Sequence, residues 1–195
     1  MVLLFSFRSS VADWYYVPTG SMEPTIQVGD RVVVDKSAYT LELPFTDVVV
    51  AKTGNINRGD IVIIDSNAAD TRLIKRVVAI EGDKVKLENN VLFINGEKAT
   101  VSAKGHNLYS EQILGQTRTI ALNPLPSPAK NFNLITVPRD HVLAMGDNRN
   151  NSVDSRYYGF IPIEEIQGKA NSVAFSLDPD EMYLPRKDRL FTSLQ

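Results

Sequence analysis

Short blocks of β-branched residues, each closed by Gly, Pro, Asn or Asp, dominate this chain, and no longer stretch keeps a helical period. Residues 31–35, 47–51 and 60–64 are such blocks, and residues 72–80 form a longer one closed by Glu81-Gly82-Asp83. Residues 84–87 and 91–94 flank Glu88-Asn89-Asn90. Asn95-Gly96 then predicts a type I′ hairpin turn, because both residues tolerate positive φ. The pattern returns at 134–137 and 141–145. The best short helix is residues 163–167, after Pro162 and stopped by Gly168. Many short strands with turns between them predict a mainly β fold, a sandwich or closed barrel. Residues 103–133 differ: they are polar, weakly periodic and end in Asn123-Pro124-Leu125-Pro126-Ser127-Pro128. Prolines remove backbone donors, so this part is expected to leave the core sheet, carrying one hairpin with a strand at 117–122.

Composition narrows the chemistry. At 43% hydrophobic and 23% charged residues, the 195-residue chain can bury the core of one domain with an elaboration. A formal charge of −2 steers nothing toward nucleic acid. Without cysteine there is no disulfide scaffold, no thiol nucleophile and no thiolate metal site. His106 and His141 are too few and too far apart for a helical zinc motif, so neither metal nor cofactor is expected. Residues 1–7 are apolar but fall far short of the roughly 20 residues of a membrane span. They also lack the basic start and cleavage site of a secretory signal. They read either as a short element of the fold or as the end of a longer membrane segment.

Three places break the strand pattern. Ser21 lies in Pro18-Thr19-Gly20-Ser21-Met22-Glu23-Pro24-Thr25, well placed for an exposed hydroxyl near free backbone donors, although turn serines are commonly only turn residues. Lys75 lies inside the 72–80 strand, on the face of Leu73 and Val77. Such a lysine either protects a sheet edge or is desolvated, which lowers its pKa and makes it a usable base. Residues 146–158 carry a single aliphatic, Val153, among Asp147, Arg149, Asp154 and Arg156. They form either a solvated loop or an ion-paired scaffold for a site.

Together and in this order, these stretches resemble the motifs of bacterial type I signal peptidases. The resemblance rests on Gly-Ser-Met-x-Pro-Thr around Ser21 and on Lys75-Arg-Val-Val-Ala-Ile-x-Gly-Asp. It also rests on Gly146-Asp-Asn-Arg-Asn-Asn-Ser-Val-Asp-Ser-Arg-Tyr-Tyr-Gly-Phe160 and on Gly29-Asp30-Arg31-Val-Val-Val-Asp35-Lys36, and it spans residues 16–175 apart from the 103–133 excursion. It implies a catalytic core of antiparallel sheets, residues 15–102 and 134–178, with little helix. Residues 103–133 would be a variable insertion, 179–195 a tail, and 1–14 the remnant of a membrane anchor, with Trp14, Tyr15 and Tyr16 at the bilayer interface.

By resemblance, Ser21 is the nucleophile and Lys75 its general base, with Ser152 orienting the lysine. Thr19 and the Ser21 amide form the oxyanion hole, Asp154 and Arg156 a supporting ion pair, and Asp147 steadies Arg76. An extended substrate would pair between residues 15–18 and 72–75. Tyr15, Val17, Pro18, Met22, Ile26, Leu73 and Ile74 would bind it, the smaller pockets at Val17, Ile26 and Ile74 rejecting bulky side chains. The implied enzyme is a monomer at the bacterial inner membrane, its catalytic domain on the outer, periplasmic face. Its partners would be membrane lipid and the signal peptides of exported preproteins, cut after an Ala-x-Ala type site. Three residues depart from the family pattern: Thr19 for a serine, Glu81 for a proline, and Arg72 for an acidic or polar residue.

Other functions predict different features. A self-cleaving Ser/Lys repressor would place its dyad closer in sequence and carry an internal Ala-Gly or Cys-Gly, dipeptides absent here. A maturation peptidase dedicated to one pilus or conjugation substrate belongs to the same superfamily. A β-rich binding module would tolerate loss of Ser21 or Lys75.

Overall fold

The β-branched blocks find partners almost entirely by antiparallel pairing, and the long strand Ile166–Asp178 pairs with four others. The structure, a computed structural model, describes residues 12–42, 49–124 and 127–194. The main sheet runs β1 (Ala12–Tyr16), β2 (Asp30–Asp35), β16 (Ile166–Asp178), β5 (Ile61–Ser66), β6 (Thr71–Ile80), β14 (His141–Met145) and β15 (Ile161–Pro162). Two short strands, β17 (Leu184–Pro185) and β18 (Thr192–Ser193), also pair with β16. A second sheet orders β13 (Phe132–Thr136), β7 (Lys84–Glu88), β8 (Val91–Ile94) and β9 (Glu97–Lys98). A third orders β10 (Thr100–Gly105), β11 (Leu108–Ile113) and β12 (Gln116–Ala121); β3 (Thr40–Glu42) and β4 (Val49–Lys52) form a ribbon. The mainly β fold expected from the sequence is therefore what forms.

The core follows side-chain alternation. On β5, Ile61 and Ile63 join Val17, Met22, Ile26, Val32 and Val173 in one cluster. Val62 and Ile64 on its other face join Val77, Val142, Ala144 and Ile166. A strand buried on both faces reads as a continuous apolar run, which is the pattern of residues 61–64. Asn95 (φ 53°) and Gly96 (φ 86°) form the hairpin turn between β8 and β9, both left-handed as expected.

Several expectations need correction. The helix expected at 163–167 is a single 3-10 turn, Ile163–Glu165, after which β16 begins. Gly168 does not stop a helix; it sits inside β16, where a Cβ would meet the Asp35 carbonyl oxygen at 2.6 Å. The α-helix described is α1, Ser155–Tyr158, within the polar run. The excursion carries a three-stranded meander, not one hairpin. The 179–195 tail is built into the main sheet through β17 and β18, and Leu194 packs in the Met22–Ile26 cluster. Residues 1–7, and the start of the 47–51 block, lie outside the described residues. Among the described residues, no helix is long and apolar enough to cross a membrane.

Candidate active site

Ser21 stands in a 3-10 turn, Gly20–Met22, which Thr19 enters in extended conformation. Met22 and Ile26 anchor this turn from below, both fully buried in the core. Met22 directly follows Ser21, and Ile26 follows one turn later, so both bring apolar bulk from the core up to the serine. Lys75 comes from β6, paired there with Val62 of β5. Its side chain is 3% exposed, so it is a desolvated lysine and no edge guard. Lys75 Nζ lies 2.9 Å from Ser21 Oγ and donates to the Ile74 carbonyl oxygen at 2.9 Å. Burial lowers its pKa from 10.5 to about 8, against the carboxylate of Asp154 and with the help of Arg156.

The polar run packs around this pair. Gly146 follows β14, and a Cβ there would collide with the Ser21 carbonyl oxygen and the Ser152 hydroxyl, so only glycine fits. Asp154 is fully buried and accepts from Gly146 N (2.9 Å), Ser152 Oγ (2.7 Å) and both Arg156 Nε and Nη2 (2.8 Å each). Burial works against its charge, yet the Arg156 guanidinium and these donors hold its carboxyl below the ordinary range. The Ser152 hydroxyl thus turns to Asp154, and the bonds of Lys75 go to Ser21 and Ile74. Asp147 takes Arg76 Nε and Nη2 at 2.8 and 2.7 Å, and also the Thr25 hydroxyl at 2.5 Å.

A cleft of about 360 Å³ opens at Lys75. Tyr15, Val17, Pro18 and Thr19 line one wall, and Leu73, Ile74 and Lys75 the other, with Arg72 over the Tyr15 ring at 4.8 Å. One wall is the 71–75 part of β6, and the other continues from β1 through residues 17–19. β1 ends the sheet order, and β14 pairs only with the 76–80 part of β6, leaving 71–75 flanked by β5 alone among the described residues. Among the described residues, no cluster of His, Cys, Asp or Glu could hold a metal.

A family profile described as "Signal peptidase, peptidase S26" matches residues 1–175. The chain belongs to this signal peptidase family. Signal peptidase I of Pseudomonas aeruginosa is 33% identical to it, over 97% of this chain and 74% of that protein. Signal peptidase IB of Staphylococcus aureus is also 33% identical, over 87% and 81%. A probable signal peptidase I-2 of Synechocystis is 31% identical, over 87% and 66%. A solved signal peptidase I from Enterococcus faecalis is 27% identical over 59% of this chain and 96% of that one, at a TM-score of 0.40.

Sequence reasoning missed several residues around the Ser21–Lys75 pair. Asn148 donates its N–H to the Ser21 carbonyl (3.1 Å) and its amide to that of Gly20 (3.0 Å). Ile63, Tyr16 and Thr71 line the cleft. Glu111, from the excursion, holds Arg149. Asn148 was legible as part of the motif; Ile63 and Glu111 carry no local signal, since only the folded sheet brings them there.

Proposed function

We propose that this chain is a Ser/Lys-dyad endopeptidase that removes N-terminal signal peptides from exported preproteins, cutting after small residues of the Ala-x-Ala type. The carrying observation is the 2.9 Å contact between a buried Lys75 amine and the Ser21 hydroxyl at the end of the strand-walled cleft. The substrate adds as an extended segment between residues 15–18 and 72–75, its backbone bonding to both walls. Val17, Ile63 and Ile74 crowd the cleft and favour small side chains.

Neutral Lys75 takes the Ser21 proton as Oγ bonds to the scissile carbonyl carbon. The oxyanion so formed is held by the Ser21 N–H and the Thr19 hydroxyl, each such donor contributing about 10²–10³ in rate. Collapse breaks the C–N bond, and the Lys75 ammonium returns its proton to the leaving amine of the mature protein. Water then attacks the ester as Lys75 takes its proton; the C–Oγ bond breaks, the Lys75 ammonium returns that proton to Ser21 Oγ, and the signal-peptide acid leaves and ionises to a carboxylate, its proton going to solvent. Asp154, with Arg156 and Ser152, keeps the surroundings of the amine fixed, and Asp147 does the same for Arg76. The enzyme works as a monomer against lipid, on the outer face of a bacterial inner membrane. Incubation with a preprotein in detergent or lipid, reading the new N-terminus by mass spectrometry, tests this. A cut that persists in Ser21→Ala, or no cut by the parent chain, rejects it.

A further inference from the structure

Glu111, Arg118 and Arg149 form an ion triad outside the Ser21–Lys75 pair. Glu111 on β11 is 0% exposed and Arg149 1%, while Arg118 on β12 is buried as well. Arg149 donates Nη1 to Glu111 Oε1 at 2.7 Å and Nη2 to Oε2 at 2.6 Å, and Arg118 donates Nε to Oε2 at 2.6 Å. Burial works to raise the Glu111 pKa, but the two guanidiniums prevail and hold it at about 2. Two positive charges thus share one negative charge, and Arg149 Nε is buried with no hydrogen-bond partner among the described residues. Apolar residues of similar volume often replace such clusters with no loss of stability. Stability alone is a weak reason for this one.

What the triad does fix is position. Arg149 is gripped by a planar two-bond fork and directly follows Asn148, which holds the Ser21 and Gly20 carbonyls. The same meander grips the neighbours: Ala121 N–H donates to the Asp147 carbonyl at 2.9 Å. Asn123 donates its amide to Asn148 Oδ1 at 3.0 Å, and Asn150 donates its own to the Asn123 carbonyl at 2.6 Å. Residues 147–150 are therefore each tied to β10–β12 or to the segment just after it, and Asn148 passes that placement to the Ser21 turn. We propose that Glu111 and Arg118 are positioning residues for Ser21, acting through Arg149 and Asn148, and that the β10–β12 sheet is the support on which the Ser21 turn is set. This rests on the reading of Ser21 as the nucleophile. The charges that act on Lys75 are Asp154, Arg156 and Asp147, so the triad sets geometry and leaves the base untouched.

The test replaces the triad by apolar residues, Glu111→Leu with Arg118→Met and Arg149→Met, in the full chain. Kinetics use a peptide spanning a signal-peptide cleavage site, and amide exchange is followed at Asn148. The triple variant is expected to melt within about 4 °C of the parent, with kcat down at least about tenfold and KM within about twofold. The acid limb of its pH profile stays in place, and the Asn148 amide exchanges faster. Parent-like kcat, a displaced acid limb, or unchanged Asn148 protection each overturns the proposal. If the triple variant does not fold, Arg149→Lys, which keeps the charge but loses the fork, must show the same kcat loss; parent-like turnover overturns the proposal. A parent that cuts no preprotein, beside faster Asn148 exchange in the variant, rejects the peptidase reading and leaves the positioning intact. A parent that cuts, beside a variant of equal kcat, rejects the positioning.

Discussion

In the proposed mechanism Lys75 takes the Ser21 proton only when uncharged, a state that burial brings closer to neutral pH. With a pKa of about 8, roughly a tenth of the amine is neutral at pH 7 and nine-tenths at pH 9. The expected kcat/KM therefore rises about tenfold between those values and then levels; an acid limb near 10.4, the ordinary lysine value, would refute the desolvated base. The same shift has a cost in stability. The folded pKa lies below the unfolded one, so the unfolded chain binds more protons between about 8 and 10.5. The penalty is complete below pH 8 and fades as pH rises toward 10.5. Lys75→Met is accordingly expected to melt higher than the parent at pH 6, by a margin that narrows above pH 8. It should also cut at less than about a hundredth of the parent rate, some 2.7 kcal/mol of barrier. Thermal melts and peptide cleavage at pH 6, 8 and 10 check both halves, and a variant no more stable than the parent at pH 6 would mean that the amine is not strained by burial.

The polar run from Gly146 to α1 inverts the usual pattern for an element. Its one aliphatic, Val153, is 52% exposed, while Asp147, Arg149 and Asp154 are buried. A hydrophobicity scan alone would leave it a solvated loop; the motif resemblance identified it because ion pairing, not apolar burial, holds it in. Two substitutions separate its roles. Asp154→Ala strands a buried Arg156 and is expected to cost about 3–5 kcal/mol, seen as a large fall in denaturant midpoint. Ser152→Ala removes one hydroxyl bond to Asp154, about 1 kcal/mol, so the midpoint barely moves while turnover drops. Equal loss of stability in both would make the serine merely structural. The strands of the core were legible because β2, β7 and β8 bury alternate residues. β10 was not, since its residues are mostly exposed and show no alternation, and β11 defied the rule by placing a charge, Glu111, inside.

For the whole molecule, the membrane contact proposed above is placed on the face of the main sheet that carries Trp14 and Tyr16. Tyr16, Arg31 and Phe175 lie in one row across β1, β2 and β16, with Trp14 two residues before Tyr16 on the same face. Arg31 stacks over the Tyr16 ring at 4.7 Å, and Tyr16 also lines the cleft, so the row runs up to the site. The segment after β16 also exposes Met182 (92%) and Phe191 (77%). Met182, Tyr183 and Phe191 all have positive φ, where this chain otherwise uses mostly Asn, Asp, His and Gly. Bulky apolar residues at such tips are costly in water and favourable at a lipid interface, where aromatic rings also settle. Trp14 is the sole tryptophan, which makes it a clean probe. Its emission is expected to shift to the blue when phospholipid vesicles are added. Met182→Asp with Phe191→Asp should weaken that shift and slow the cutting of a vesicle-borne preprotein. The rate on a short soluble peptide should hold, because neither residue lines the cleft. Trp14 emission indifferent to vesicles, or a double variant that cuts the vesicle-borne preprotein at the parent rate, would show that this face does not engage the membrane.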